Sequence, residues 1–123
     1  MKAPVPILRS FNEAATRDFY IGFLGFDLTF EHRFEPNTPL YMGVRFGDCE
    51  LHLSEHYGDA VPGAGLRIEV ADVGAYRDEL IAKNYRYARP GLERQDWGWD
   101  EMIIRDPNGN RLVFCTPIPD QSP

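Results

Sequence analysis

The sequence predicts an α+β fold made of two tandem β-α-β-β-β modules in a single domain. The same order of strand and helix patterns occurs twice, with an offset of about 60 residues. The length of 123 residues suits one domain, and the 43% hydrophobic content is typical of a globular chain. The first module is predicted at residues 3–58 and the second at residues 63–117.

The first module begins with a strand pattern that is followed by a helix. Residues 3–9 form an apolar run with prolines, which favours an edge strand or an exchanged strand. Ser10 and Glu13 have the spacing of a capping box, and Gly25 is the predicted helix stop. The apolar positions of this helix recur every four residues: Ala15, Phe19 and Phe23.

Three further strands complete the first module, and a linker follows them. The predicted strands are Phe26–Arg33, Leu40–Phe46 and Cys49–Ser54. Gly47-Asp48 between the last two indicates a tight hairpin. Residues 55–63 are polar and rich in turn formers, so they are predicted to link the two modules.

The second module repeats this order. A strand at Leu66–Val70 precedes a helix that Asp72 caps and that Asn84, which tolerates the left-handed conformation, ends. The remaining predicted strands are Arg86–Pro90, Glu101–Arg105 and Arg111–Pro117. Residues 106–110 (DPNGN) form the predicted turn between the last two strands.

Composition and charge exclude several functional classes. The formal net charge of −6 disfavours nucleic acid as a partner, because an acidic surface repels phosphates. No apolar run is long enough to span a membrane, and residues 1–4 lack the apolar core of a signal peptide, so we expect a cytoplasmic protein. Cys49 and Cys115 are predicted to be reduced strand residues.

These features together resemble the vicinal oxygen chelate family, also called the glyoxalase/bleomycin resistance superfamily. The resemblance rests on Phe19-Tyr20 with Leu24-Gly25-Phe26, on the DPNGN turn at 106–110, and on Trp97-Gly98 before Arg105. Among its members, the bleomycin-binding resistance proteins are the most similar. The resemblance implies that the two modules form a cleft. It also implies a homodimer with crevices at its interface, in which the N-terminal strand is often exchanged.

The resemblance also raises the question of a metal. The metal-ligand positions of glyoxalase-I-type enzymes fall here on Val5, His52, Gly65 and Val113. Only His52 has a donor side chain, so we expect neither a metal nor a cofactor. A shifted site using Glu50, His52 and Glu69 stays open. The alternative function is therefore a metal-dependent glyoxalase-like lyase, transferase or dioxygenase.

The candidate ligand-binding residues are mostly aromatic. Two tryptophans lie in the charged stretch 93–100, where at least one of them should line a pocket or an interface. The resemblance places Trp97 and Phe30 at the drug crevice, and Arg67 where the best-known relative has an aromatic residue. Arg67 would favour an anionic ligand unless Glu69 or Glu50 neutralises it. The full candidate set is Phe30, Phe34, His52, Ser54, Arg67, Trp97 and Trp99.

The predicted function is therefore binding rather than catalysis. Aromatic side chains in an acidic protein suit a flat, cationic ligand such as bleomycin. The protein would sequester this antibiotic without changing it chemically. A protein that binds an unknown aromatic metabolite is a further reading of the same residues.

Overall fold

The structure is a computed structural model that describes residues 1–119, and it confirms the predicted α+β fold of two β-α-β-β-β modules. The chain divides into two compact units. Unit 1 comprises Met1–Ala64 and the turn Asp106–Asn110, and unit 2 comprises Gly65–Arg105 and residues 111–119 of the described chain. None of the helices in the described part of the chain is long and apolar enough to cross a membrane.

Unit 1 contains a four-stranded sheet whose strand order is β1-β4-β3-β2. The strands are β1 (Ile7–Arg9), β2 (Asp27–His32), β3 (Tyr41–Phe46) and β4 (Cys49–Ser54). β1 runs parallel to β4, and the other neighbours are antiparallel. The N-terminal strand thus has the predicted edge position, and it pairs with β4 of its own chain.

The helix of unit 1 consists of a short α-helical part, α1 (Glu13–Arg17), that continues as a π-helical turn (Asp18–Phe23). In this turn the Leu24 amide donates to the Phe19 carbonyl, five residues back. Gly25 then adopts a φ of 91°, which confirms the predicted helix stop, because this backbone conformation favours glycine.

The start of α1 corrects the predicted capping box. Asn12, not Ser10, is the N-cap, since its side chain accepts the Ala15 amide at 2.9 Å. The Ser10 hydroxyl is instead buried and lies 2.9 Å from the Thr16 hydroxyl.

Unit 2 contains the second sheet, with strand order β5-β8-β7-β6. Its elements are β5 (Gly65–Glu69), α2 (Val73–Ala82), β6 (Leu92–Gln95), β7 (Trp99–Arg105) and β8 (Arg111–Pro117). Asp72 caps α2 and Asn84 has a φ of 52°, both as predicted. The strand predicted at Arg86–Pro90 is wrong: β6 begins only after Pro90, which has no amide to donate to a ladder.

Each sheet buries one face more completely than the other. On β4, Leu51 and Leu53 are 1% exposed, while the alternating Glu50 and His52 lie on the opposite, partly open face, as strand parity predicts. In unit 2, β7 alternates in the same way, since Met102 and Ile104 are buried and Ile103 is 39% exposed. The inner strand β8 instead buries four consecutive residues, 112–115.

The turn between β7 and β8 belongs to unit 1 and is organised by the buried carboxylate of Asp106. Its Oδ1 accepts the backbone amides of Asn108 and Asn110, both at 2.8 Å. Its Oδ2 accepts the Tyr20 hydroxyl at 2.7 Å and the Asn110 side-chain amide at 2.8 Å. Tyr20 is fully buried, and burial, followed by the Asp106 charge, strongly raises its pKa.

We expect Asp106→Ala to lower the free energy of unfolding by roughly 3–5 kcal/mol, because it leaves several buried donors without an acceptor. Tyr20→Phe removes one donor and should cost only about 1–2 kcal/mol. Urea denaturation measures both, with the exposed Glu79→Ala as the control. A cost for Asp106→Ala no greater than that of the control would contradict this role for the carboxylate.

Candidate functional site

An aromatic cluster lies on the open face of the unit 1 sheet. It consists of Phe30 on β2, Tyr41 on β3 and His52 on β4. The Phe30 ring stacks on Tyr41 with centroids 6.0 Å apart and meets the His52 ring edge-on at 5.1 Å. The Tyr41 hydroxyl lies 2.7 Å from His52 Nδ1. Three strands therefore contribute to one aromatic surface, of which Phe30 is 40% exposed.

Gly43 makes room for this cluster. In the strand register it lies between Phe30 and His52, so the Phe30 ring crosses directly above it. A Cβ at position 43 would lie 2.7 Å from Thr29 Oγ1 and 2.8 Å from Phe30 Cδ1. A side chain here would therefore displace the Phe30 ring from the sheet surface.

Charged residues continue the same face. Glu50 Oε1 lies 3.4 Å from His52 Nε2, and Glu50 Oε2 accepts from Arg45 at 2.9 Å.

Burial, together with the negative charge of Asp59, raises the pKa of Tyr41. The Tyr41 hydroxyl therefore stays protonated at neutral pH and can donate to His52.

Unit 2 carries a second aromatic group, organised by a buried carboxylate on β7. Glu101 is only 6% exposed and accepts from Arg67 at 2.5 Å and from the Trp97 indole N–H at 3.3 Å. The Arg67 guanidinium also lies over the Trp99 ring, 5.0 Å from its centroid. Trp97 itself is 64% exposed, so its indole is oriented by a hydrogen bond without being buried.

Glu101 thus supplies the neutralising charge for which the sequence analysis considered Glu69 or Glu50. Its hydrogen bond is the largest of the effects that raise the Arg67 pKa, so the guanidinium remains charged and paired. The interpretation that Arg67 favours an anionic ligand loses its basis, because the charge is already compensated within unit 2.

Two of the remaining candidates lie apart from these clusters. Phe34 is 77% exposed in the loop after β2, and its ring meets His32 and His56 rather than Phe30. Ser54, expected to contact a ligand, has no exposed surface. Its hydroxyl donates to Asp59 at 2.6 Å and accepts the His56 amide, which fixes the start of the linker.

Of the important residues that sequence reasoning missed, Glu101 and Gly43 matter most. Glu101 lies two residues beyond Trp99 on one strand, so its position on the Trp99 face was readable from strand parity. The need for a glycine at position 43 depends on strand register, and no local pattern indicates it.

The donor set does not fit a metal. His52 has one carboxylate beside it, that of Glu50, which is already shared with Arg45. Residues 1–119 contain no group of three His, Cys, Asp or Glu side chains that could hold an ion. A divalent metal needs several converging donors, and the side chains around His52 do not supply them.

Comparison with known proteins identifies the family. The family described as glyoxalase superfamily protein matches residues 1–120, so the chain belongs to the glyoxalase/bleomycin resistance superfamily. No curated protein matches the sequence.

Solved structures share the fold at low sequence identity. A bleomycin-binding protein complexed with bleomycin is 21% identical, with a TM-score of 0.71 over 94% of this chain and 98% of that chain. A bleomycin resistance determinant encoded on the transposon Tn5 is 21% identical, with a TM-score of 0.73 over 95% and 98%. A glyoxalase family protein from Enterococcus faecalis is 22% identical, with a TM-score of 0.67 over 90% and 93%.

We expect Gly43→Ala to destabilise the protein by about 1–3 kcal/mol, because the new methyl group meets the Phe30 ring and Thr29. Phe30→Ala in the same chain should relieve part of this cost. The two substitutions should therefore be non-additive in urea denaturation. Strict additivity would show that Phe30 does not depend on the glycine.

Proposed function

We propose that this protein is a homodimer that sequesters a flat, cationic aromatic antibiotic of the bleomycin type without changing it chemically. The observation that carries the proposal is Trp97, whose indole is 64% exposed while its N–H is bonded to the buried Glu101. An exposed aromatic ring of fixed orientation suits stacking against a planar ligand, because little side-chain entropy is lost on binding.

The aromatic cluster of unit 1 supports the same ligand class. Phe30, Tyr41 and His52 present stacked and edge-on rings on an open sheet face. A planar ring system could extend that stacking arrangement. The net charge of −6 favours the approach of a cation, and Glu101, which accepts from the Trp97 indole, also neutralises Arg67.

The bonding of the polar groups supports binding rather than reaction. Tyr41 is bonded to His52, Arg45 to Glu50, and Arg67 to Glu101. These bonds stabilise the positions of the aromatic rings. Two superfamily members with the same fold are described as a bleomycin-binding protein and a bleomycin resistance determinant.

Calorimetric titration with bleomycin tests the proposal. Trp97→Ala should weaken binding by about 2 kcal/mol, or roughly 30-fold, as expected for an aromatic hot spot. Trp97→Phe should keep more of the affinity, because it retains a ring. The unfolding free energy should change far less than the roughly 3–5 kcal/mol of a core tryptophan deletion.

The matched control is Tyr87→Ala. It removes another aromatic ring of unit 2, which is 76% exposed and is not part of the group around Glu101. It should leave the affinity unchanged. If Trp97→Ala binds bleomycin as tightly as the parent, the assignment of Trp97 to the binding site is wrong. If the parent does not bind bleomycin, the proposed function is wrong.

The homodimer is tested by mass. Exposed apolar side chains at the start of the chain and on β2 support an interface, among them Val5, Ile7 and Leu28. A stable interface buries at least about 1,000 Å². Light scattering at micromolar concentration should give twice the chain mass of 14.1 kDa, and the mass of one chain would exclude the dimer.

A further inference from the structure

Unit 1 contains a pocket that involves none of the aromatic cluster. Its volume is about 390 Å³, and it lies where the end of β1, the start of α1 and the loop before β3 meet. The side chains that line it include Arg9, Phe11, Glu13, Arg33, Pro39 and Glu55. A second depression of about 520 Å³ shares Phe11, Glu13 and Glu55 with it. Volumes of this size are within the range of small-molecule sites.

One group of charges at this pocket is internally balanced. Glu13 accepts from both Arg17 and Arg33, and Arg17 also pairs with Glu31. Arg33 uses a further N–H to bind the Thr38 carbonyl at 2.9 Å. The hydrogen bond from Arg33 is the main cause that lowers the Glu13 pKa, so the carboxylate is ionised. Two guanidinium groups and two carboxylates therefore cancel.

The other two charges of the pocket have no charged partner. Arg9 donates to the backbone carbonyl of Glu55 at 2.9 Å and lies 4.9 Å from the centre of the exposed Phe11 ring. The Glu55 carboxylate accepts the Leu40 amide through Oε1 at 2.9 Å. Throughout residues 1–119, no ion pair within 4.0 Å involves either Arg9 or Glu55. One cation and one anion thus line the same pocket, each bonded only to neutral groups.

We propose that this pocket binds a zwitterionic α-amino acid with an apolar side chain. The ligand carboxylate accepts from the remaining N–H groups of Arg9, and its ammonium group donates to the free oxygen of Glu55. The apolar side chain packs on Phe11 and Pro39. A ligand with a single charge would leave one of the two protein charges uncompensated, whereas a zwitterion satisfies both through charge-assisted hydrogen bonds.

Three probes that share a phenyl ring separate the contributions of the ligand's ammonium and carboxylate groups to the affinity. They are L-phenylalanine, 3-phenylpropanoate, which lacks the ammonium group, and 2-phenylethylamine, which lacks the carboxylate. Titrations of the full chain followed by ¹⁵N NMR should show that L-phenylalanine binds about ten-fold more tightly than either analogue. The Leu40 amide should shift with the two ammonium-bearing probes, because it donates to Glu55.

Substitutions of Arg9 and Glu55 then test which charged group of the ligand each side chain binds. Arg9→Gln should lower the affinity for L-phenylalanine about ten-fold and leave that for 2-phenylethylamine unchanged. Glu55→Gln keeps an acceptor for Leu40 and should instead leave 3-phenylpropanoate binding unchanged. Arg9→Lys keeps the positive charge, so L-phenylalanine should still bind more tightly than 2-phenylethylamine, which lacks the carboxylate. The controls Arg105→Gln and Glu79→Gln alter exposed residues outside the pocket and should have no effect.

The proposal is overturned if L-phenylalanine does not bind, if the three probes bind equally, or if Arg9→Gln weakens all three alike. The amino acid pocket is proposed independently of the antibiotic site at Trp97. Trp97→Ala should therefore leave L-phenylalanine affinity unchanged, and a parallel loss would place the amino acid at the Trp97 surface instead.

Discussion

The buried polar network at the start of unit 1 depends on the carboxylate of Asp106. It fixes the turn 106–110 through the amides of Asn108 and Asn110, and those two asparagines extend the network further. Asn108 accepts the Phe11 amide and donates to Thr16, while Asn110 donates to the Arg9 carbonyl. A turn from the end of the chain thereby satisfies polar groups at its beginning. The bonds that join Asp106, Asn108, Asn110 and Thr16 are buried, so the loss of any of them leaves a donor or acceptor without water to replace it.

This arrangement also makes the turn more than a connection between two strands. β7 and β8 belong to unit 2, whereas the five residues that join them belong to unit 1. The turn satisfies some of its polar groups by itself, but the bond of Asp106 to Tyr20 and the bonds of Asn108 to Phe11 and Thr16 form only when the helix region of unit 1 is folded. Such contacts between sequence-distant residues are slow to form, since the intervening chain must be ordered first.

The fold could be predicted where local patterns were unambiguous. β4 and β8 were predicted with their observed bounds, because alternating apolar residues and turn residues define both ends. The start of α1 was not, because Ser10 and Asn12 are both good capping residues and the choice depends on which side chain becomes buried. The π-helical turn has no local sequence pattern that distinguishes it from a regular helix.

In the candidate site too, some features could be predicted from local patterns and others depend on how the strands pair. Strand parity placed His52 on the open face, but the bond between Tyr41 and His52 depends on the pairing of β3 with β4. The pairing of Arg67 with Glu101 is harder still to predict, because β8 lies between their strands in the sheet. Contacts across a central strand depend on register and side-chain direction together, and neither is encoded within one segment.

These long-range contacts also determine the charge and the ring orientations at the exposed aromatic surfaces of the two units. Glu101 neutralises Arg67 and orients Trp97, so one buried carboxylate controls both the charge and the geometry beside the exposed indole. Gly43 has the corresponding role in unit 1, where the missing side chain lets Phe30 lie across the sheet. Rings that are fixed before a ligand arrives lose little entropy on stacking, which increases affinity without a new contact. A binding protein in this fold therefore depends on residues that a planar ligand need not touch.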